Sequence, residues 1–125
     1  MNAIQKWGSW LVVTVSAVTV RATRYFTAET DGLKQEWHGR VFLNPPYQRE
    51  LMPKFVSKLV GELHAGRVTS AIMLVNNGTD TDWFREAADA CDAVCFTSGR
   101  IRFAEPDGED MRPMDGLPPT GQAFL

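Results

Sequence analysis

Between residues 40 and 97 the chain alternates twice between short apolar runs and helical periodicity, which restricts the fold more than any other feature. Arg40-Val41-Phe42-Leu43 reads as a strand, and Asn44-Pro45-Pro46 ends it. Two successive prolines offer no N–H to a sheet ladder. Leu51, Met52, Phe55, Val56, Leu59, Val60 and Leu63 then recur at helical spacing, predicting a helix from about Arg49 to His64. Lys54, Lys58 and Glu62 take its other side, Pro53 fits the first turn, and Gly66 closes it. Ser70 to Val75 is almost unbroken apolar sequence, expected of a strand covered on both faces. Asp80 is the expected N-cap of a second helix with Trp83, Phe84, Ala87 and Ala88 inward, and Ala93–Thr97 is the expected third strand. The resulting β-α-β-α-β order implies an α/β fold with a mostly parallel sheet and right-handed crossovers. Ligands of such sheets sit beyond the carboxyl ends of the strands. Asn44–Tyr47, Asn76–Thr79 and Ser98–Arg100 all fall on that rim.

The rest of the chain adds less. Its 125 residues, 44% of them apolar, suit a single domain spanning 1–125. The net charge of −2 excludes a wholly basic nucleic-acid coat. Residues 1–28 nonetheless hold Lys6, Arg21 and Arg24 and no acid, whereas residues 104–120 form an acidic, Pro- and Gly-rich loop. Valines 12, 13, 15, 18 and 20 mark a β-prone segment. The apolar run from Trp10 to Val20 is broken by Thr14, Ser16 and Thr19 and falls short of the roughly 20 residues that span a bilayer. No cleavage-site pattern follows it, so a cytoplasmic protein is expected. Arg100 to Phe103 alternates like a strand, and Gln122–Leu125 reads as the start of another.

Asn44-Pro45-Pro46-Tyr47 carries the chemistry. By average composition, a chance match to this kind of tetrapeptide in such a chain has a probability of roughly 0.4%. Methylating an exocyclic amine is difficult because the lone pair is delocalised into the ring. Two acceptors that hold the amine protons favour the pyramidal geometry that frees it. The Asn44 side-chain oxygen is one candidate acceptor. The Pro45 carbonyl is the other, its direction fixed by the two rings of Pro45 and Pro46. Tyr47 offers an aromatic face on which a flipped base stacks, worth about 1–3 kcal/mol. The bland reading of the same residues is a rigid Pro-Pro turn with a packed tyrosine.

Here the sequence resembles the phage-type (Dam-like) DNA N-6-adenine methyltransferases. The matching segments are Arg24–Thr27 with Asp31-Gly32-Leu33, Trp37 through Tyr47, Leu74 through Phe84, Gly99–Phe103 and Gly121–Phe124, in family order. The resemblance implies a Rossmann-like methyltransferase core using S-adenosylmethionine, acting on double-stranded DNA in a bacterial host or phage-infected cell. It makes Asn44, Pro45, Pro46 and Tyr47 the catalytic loop, with Asn44 also facing the cofactor. Residues 1–20 diverge. The family carries a strand ending in a Leu-Asp-type motif there, while this segment has no acid and no Gly-x-Gly loop. The expectation is a core truncated at both ends. An inactive prophage remnant and a methyltransferase of protein glutamine or RNA are the competing readings.

Arg100 and Arg102, alternating with Ile101 and Phe103 at the rim, join Tyr47 as the DNA-contact candidates. Cys91 and Cys95, with three residues between them, are expected to pack in the core. His38 and His64 stand at no metal-ligand spacing, so no metal is expected.

Overall fold

Strand β1 (Trp10–Thr14) lies in the middle of the parallel part of the sheet, although it precedes everything the alternation covers. The computed structural model describes residues 10–14, 24–26, 30–99, 101 and 122–124. After β1 come β2 (Arg24–Phe26), β3 (Gly39–Asn44), helix α1 (Met52–His64), β4 (Val68–Asn76), helix α2 (Asp82–Ala90), β5 (Cys95–Phe96) and β6 (Gln122–Phe124). The six strands form one mixed sheet in the order β2-β1-β3-β4-β6-β5. β1 is parallel to both β2 and β3, and β3 is parallel to β4. β6 runs antiparallel to both β4 and β5.

The expected α/β architecture is therefore present, with one departure. The third strand of the alternation is two residues long, not five, and does not touch β4 directly. Ala93, Cys95 and Phe96 are exposed and only Val94 packs towards the core, so little apolar surface holds this strand. β6 takes the place beside β4 instead.

The ladder registers set the core. Leu11 lies beside Val41, and Val13 beside Leu43, which in turn lies beside Met73. Side chains of paired residues share a face, and all five are buried. α1 lays Met52, Phe55, Val56 and Leu59 on this face, and α2 adds Phe84 and Ala87. Trp37, wholly buried, stacks on Phe55 at 6.4 Å and donates its indole N–H to the Gly32 carbonyl at 2.8 Å. Leu43 has no exposed surface and directly precedes Asn44, so the core anchors the Asn-Pro-Pro loop. Truncating a leucine at such a point costs about 2–5 kcal/mol. The continuous run in β4 divides between the faces. Met73 and Val75 enter the helix-covered core, while Ile72 and Leu74 point to the opposite face and lie outside that cluster. Both helices serve the first face, and on the second, where cover is also expected, Leu74 is buried and Ile72 half-buried.

Three local readings change. α1 begins at Met52 rather than near Arg49, because the Gln48 carbonyl accepts from the N–H groups of Leu51 and Met52 and turns the chain first. Its end matches expectation: Gly66 adopts φ +76°, its N–H bonds to Leu63, and the Arg67 N–H reaches the Glu62 carbonyl. The N-cap of α2 is Thr81, not Asp80. The Thr81 hydroxyl accepts from the Phe84 N–H while Asp80 stays exposed. Glu62 does not sit on a solvated face. It is 4% exposed, held by the Arg67 side chain and by Lys58 at 2.9 Å. The Arg67 hydrogen bond, opposed by burial and helped by Lys58, pulls its carboxyl down to about 2.

Candidate active site

β3 ends at Asn44 because neither Pro45 nor Pro46 can continue the ladder. Pro45 is wholly buried and Pro46 half-buried, so the turn is held by packing as well as by ring geometry. The chain then doubles back far enough for Tyr47 to meet Asn44. The Tyr47 hydroxyl donates to the Asn44 Oδ1 at 2.8 Å and passes the Leu74 carbonyl at 3.4 Å. A phenol has one proton. The shorter distance is therefore the hydrogen bond, and the Leu74 carbonyl is a close neighbour that ties the loop to β4. Burial of the phenol pushes its pKa up to about 12, so it remains a donor at neutral pH. The ring still keeps 37% of its surface open.

This bond changes what Asn44 offers. A carboxamide oxygen has two lone pairs. Tyr47 takes one and leaves the other, and its proton also fixes which way the amide faces. The Pro45 carbonyl has no hydrogen-bond partner among the described residues. It belongs to a residue with under 2% exposure.

The carboxyl end of β4 supplies the second rim segment. Extending the β3–β4 register places Asn76 on the same face as Asn44 and Leu74, one pleat beyond Leu74. Its Oδ1 is buried and has no partner. Beyond it, Gly78 lies under Trp83, where a Cβ would come within 2.6 Å of the indole Cζ2. Thr81 donates its hydroxyl proton to the Gly78 carbonyl at 2.6 Å and so closes the turn.

β5 runs in the same direction as β4 through two antiparallel pairings, so Thr97–Gly99 leave the sheet at the same rim. Arg100 and Arg102, the cationic candidates, lie outside the described residues. So do residues 104–120, read as an acidic loop, and residues 15–20 of the valine-rich segment.

The strand order reverses at β1. The chain goes from β1 to β2 on one side and on to β3 on the other. Thr14 lies beside Asn44 in register, so the carboxyl ends of two adjacent parallel strands stand side by side at the reversal. This is the position at which open α/β sheets bind ligands. Sequence periodicity named the rim but not this crevice, because pairing of β1 with β3 leaves no local trace.

Sequence reading missed the Asn44–Tyr47 bond, although a spacing of three across a proline-fixed turn hints at it. It left the role of Asn76 open, and no sequence signal reports an unpaired buried amide. Cys95 is exposed rather than packed in the core and Cys91 is half-buried, because the short β5 leaves this segment at the margin.

A family model described as DNA N-6-adenine-methyltransferase (Dam) matches residues 2–117. The matched stretch takes in residues 2–20 and stops before the Gly121–Phe124 segment. No curated protein and no solved structure gives a match. Among the described residues no helix is long and apolar enough to cross a membrane.

Proposed function

The chain belongs to the DNA N-6-adenine-methyltransferase (Dam) family, and from that premise we propose that its Asn44–Tyr47 loop holds the exocyclic amine of an adenine flipped out of double-stranded DNA. The observation that carries this reading is the 2.8 Å bond from Tyr47 to Asn44 at the lip of the β1/β3 crevice. It presents an oriented amide oxygen with one lone pair free.

The free lone pair accepts one amine proton. The Pro45 carbonyl is the candidate acceptor for the other. Together they draw the amine towards a pyramidal geometry and stabilise positive charge developing on nitrogen. The exposed face of Tyr47 stacks the base, and its hydroxyl remains protonated and keeps the amide in place. Unpaired and on the same face, the Asn76 Oδ1 is a further acceptor beside the base.

The cofactor expected for this reaction is S-adenosylmethionine, which supplies a methyl group on a sulfonium. The strand order fits a Rossmann-like site for it. The β1/β3 reversal forms the crevice, Thr14 and Asn44 border it, and the unpaired Asn76 amide shows that acceptors near the rim are not all used internally. Residues 1–20 contain no carboxylate, so Asn44 is the polar side chain of the described residues best placed to hold the group.

Transfer of labelled methyl from S-adenosylmethionine to adenine-containing duplex DNA tests the proposal. The expected result is transfer by the chain and near-abolition in Asn44→Ala with the melting transition retained. Equal transfer in that variant removes the role given to Asn44. Labelling of protein glutamine or RNA, but not DNA, moves the reading to those substrates. Failure of a folded chain to bind the cofactor leaves a family member without methyl transfer.

A further inference from the structure

Gly78 has no conformational reason to be glycine. The positive-φ glycines among the described residues are Gly39 and Gly66, so the backbone at Gly78 is one that residues with side chains adopt. Space excludes a side chain instead. A Cβ there would stand 2.6 Å from Cζ2 and 3.1 Å from Cη2 of Trp83, and 3.3 Å from the Thr81 hydroxyl oxygen. The outer ring of an indole carried in the first turn of α2 therefore lies directly on the backbone of the β4–α2 turn.

Trp83 is backed by the core. It packs against the buried cluster and meets Phe84 edge-on, with ring centroids 5.7 Å apart. Thr81 ties the turn to the same helix. Its N–H at 3.0 Å and its hydroxyl at 2.6 Å both donate to the Gly78 carbonyl, while its oxygen accepts from the Phe84 N–H. This turn follows the end of β4, which pairs with β3 as far as Met73 and then with β6 through Leu74, Val75 and Asn76. The Leu74 carbonyl lies 3.4 Å from the Tyr47 hydroxyl, and the Asn76 Oδ1 is buried without a partner. Asn76 thus stands between the wholly buried Val75 and a turn pinned to α2.

We propose that Trp83 is a positioning residue for this site: by resting on Gly78 it holds the end of β4 so that Asn76 keeps its amide oxygen towards the base. The inference rests on the methyl-transfer reading above and adds to it a residue outside the Asn44–Tyr47 loop. Close-packed contacts of this kind transmit small displacements, because neither a rigid indole nor a backbone can absorb them. A shift of the turn is therefore passed back along two residues to Asn76, and the Thr81 hydrogen bonds to Gly78 keep it from being taken up within the turn.

Variants of the full chain test this. Trp83→Phe leaves a ring too short to reach Gly78, and Gly78→Ala pushes the turn off the indole. In the double variant the new methyl fills the space that the shorter ring leaves. Methyl transfer from S-adenosylmethionine to duplex DNA is measured well below every melting transition. Each single change should lower kcat by about ten- to a hundredfold with little change in the KM for DNA, as a small misplacement of a positioned group does. The double variant should recover most of that loss, a coupling that a general loss of stability does not produce. Amide hydrogen exchange at Asn76–Thr79 reads the clamp without substrate, and should quicken in both single variants and slow again in the double. Unchanged kcat in the single variants, losses that multiply in the double, or exchange indifferent to all of them overturns the proposal. A native chain that transfers no methyl overturns the methyl-transfer reading instead, and exchange then still decides whether Trp83 holds the turn.

Discussion

Tyr47 donates its hydroxyl proton to the Asn44 Oδ1 at 2.8 Å, closing a ring of contacts across the two prolines between them. The bond joins the residue proposed to stack the base to the residue proposed to hold its amine. Neither side chain is therefore free to set its own orientation.

Tyr47→Phe keeps the stacking face and removes the donor. Methyl transfer is expected to fall by about tenfold, the effect of losing one net hydrogen bond of about 1–1.5 kcal/mol from a positioned group. The loss should appear mainly in kcat, because the ring that meets the base remains. Steady-state kinetics checks this, and an unchanged kcat would show that the Pro-Pro turn alone orients Asn44.

Alkaline pH should loosen the loop through the same phenol. Burial raises the Tyr47 pKa from 10.0 to about 12, so folding favours the protonated form. Its contribution is complete below pH 10 and is lost as pH climbs through about 12. The difference in urea midpoint between the native chain and Tyr47→Phe should shrink over that interval. A difference independent of pH contradicts the assignment.

Acid should act on a different part of the molecule. The Arg67 hydrogen bond is the chief reason the Glu62 carboxyl is pulled from 4.5 to about 2. A lowered carboxyl pKa gives stability that is present above the unfolded value and lost as pH falls through the folded one. Stability should therefore drop between pH 4.5 and about 2, with Glu62→Gln showing a flatter profile. At neutral pH that variant should be less stable by about 1–3 kcal/mol, since Glu62 is buried between Lys58 and Arg67. Denaturant titrations across the acid range measure both effects.

Asn76 separates stability from function. Its buried Oδ1 has no partner, and an unsatisfied buried acceptor costs about 1–3 kcal/mol. Asn76→Leu should raise the melting temperature and lower DNA methylation. A fall in both would show that the amide supports the fold, and a rise in stability at constant activity would remove it from the site.

Much of the middle of the molecule was legible because its signals are local. The apolar spacing of Phe55, Val56, Leu59 and Leu63 marks a helix face whatever surrounds it, and Pro45-Pro46 must end β3 wherever that strand lies. The same reasoning misplaced Glu62. Spacing along α1 puts it away from the apolar stripe, but Arg67 returns past the helix end and covers it. It also overextended β5, because strand propensity does not reveal that β6 occupies the edge of β4.

The sequence by itself determined the alternation of strands and helices, the rim on which ligands would gather, and the Asn-Pro-Pro-Tyr loop at that rim. Each depends on steric and hydrogen-bonding rules acting within a few residues. The tertiary structure alone decided that β1 stands between β2 and β3, that Thr14 lies beside Asn44 at the strand-order reversal, and that β6 rather than β5 pairs with β4. These are pairings between segments distant in sequence. They are set by which apolar faces can be buried together, and that choice exists only once the whole sheet has assembled.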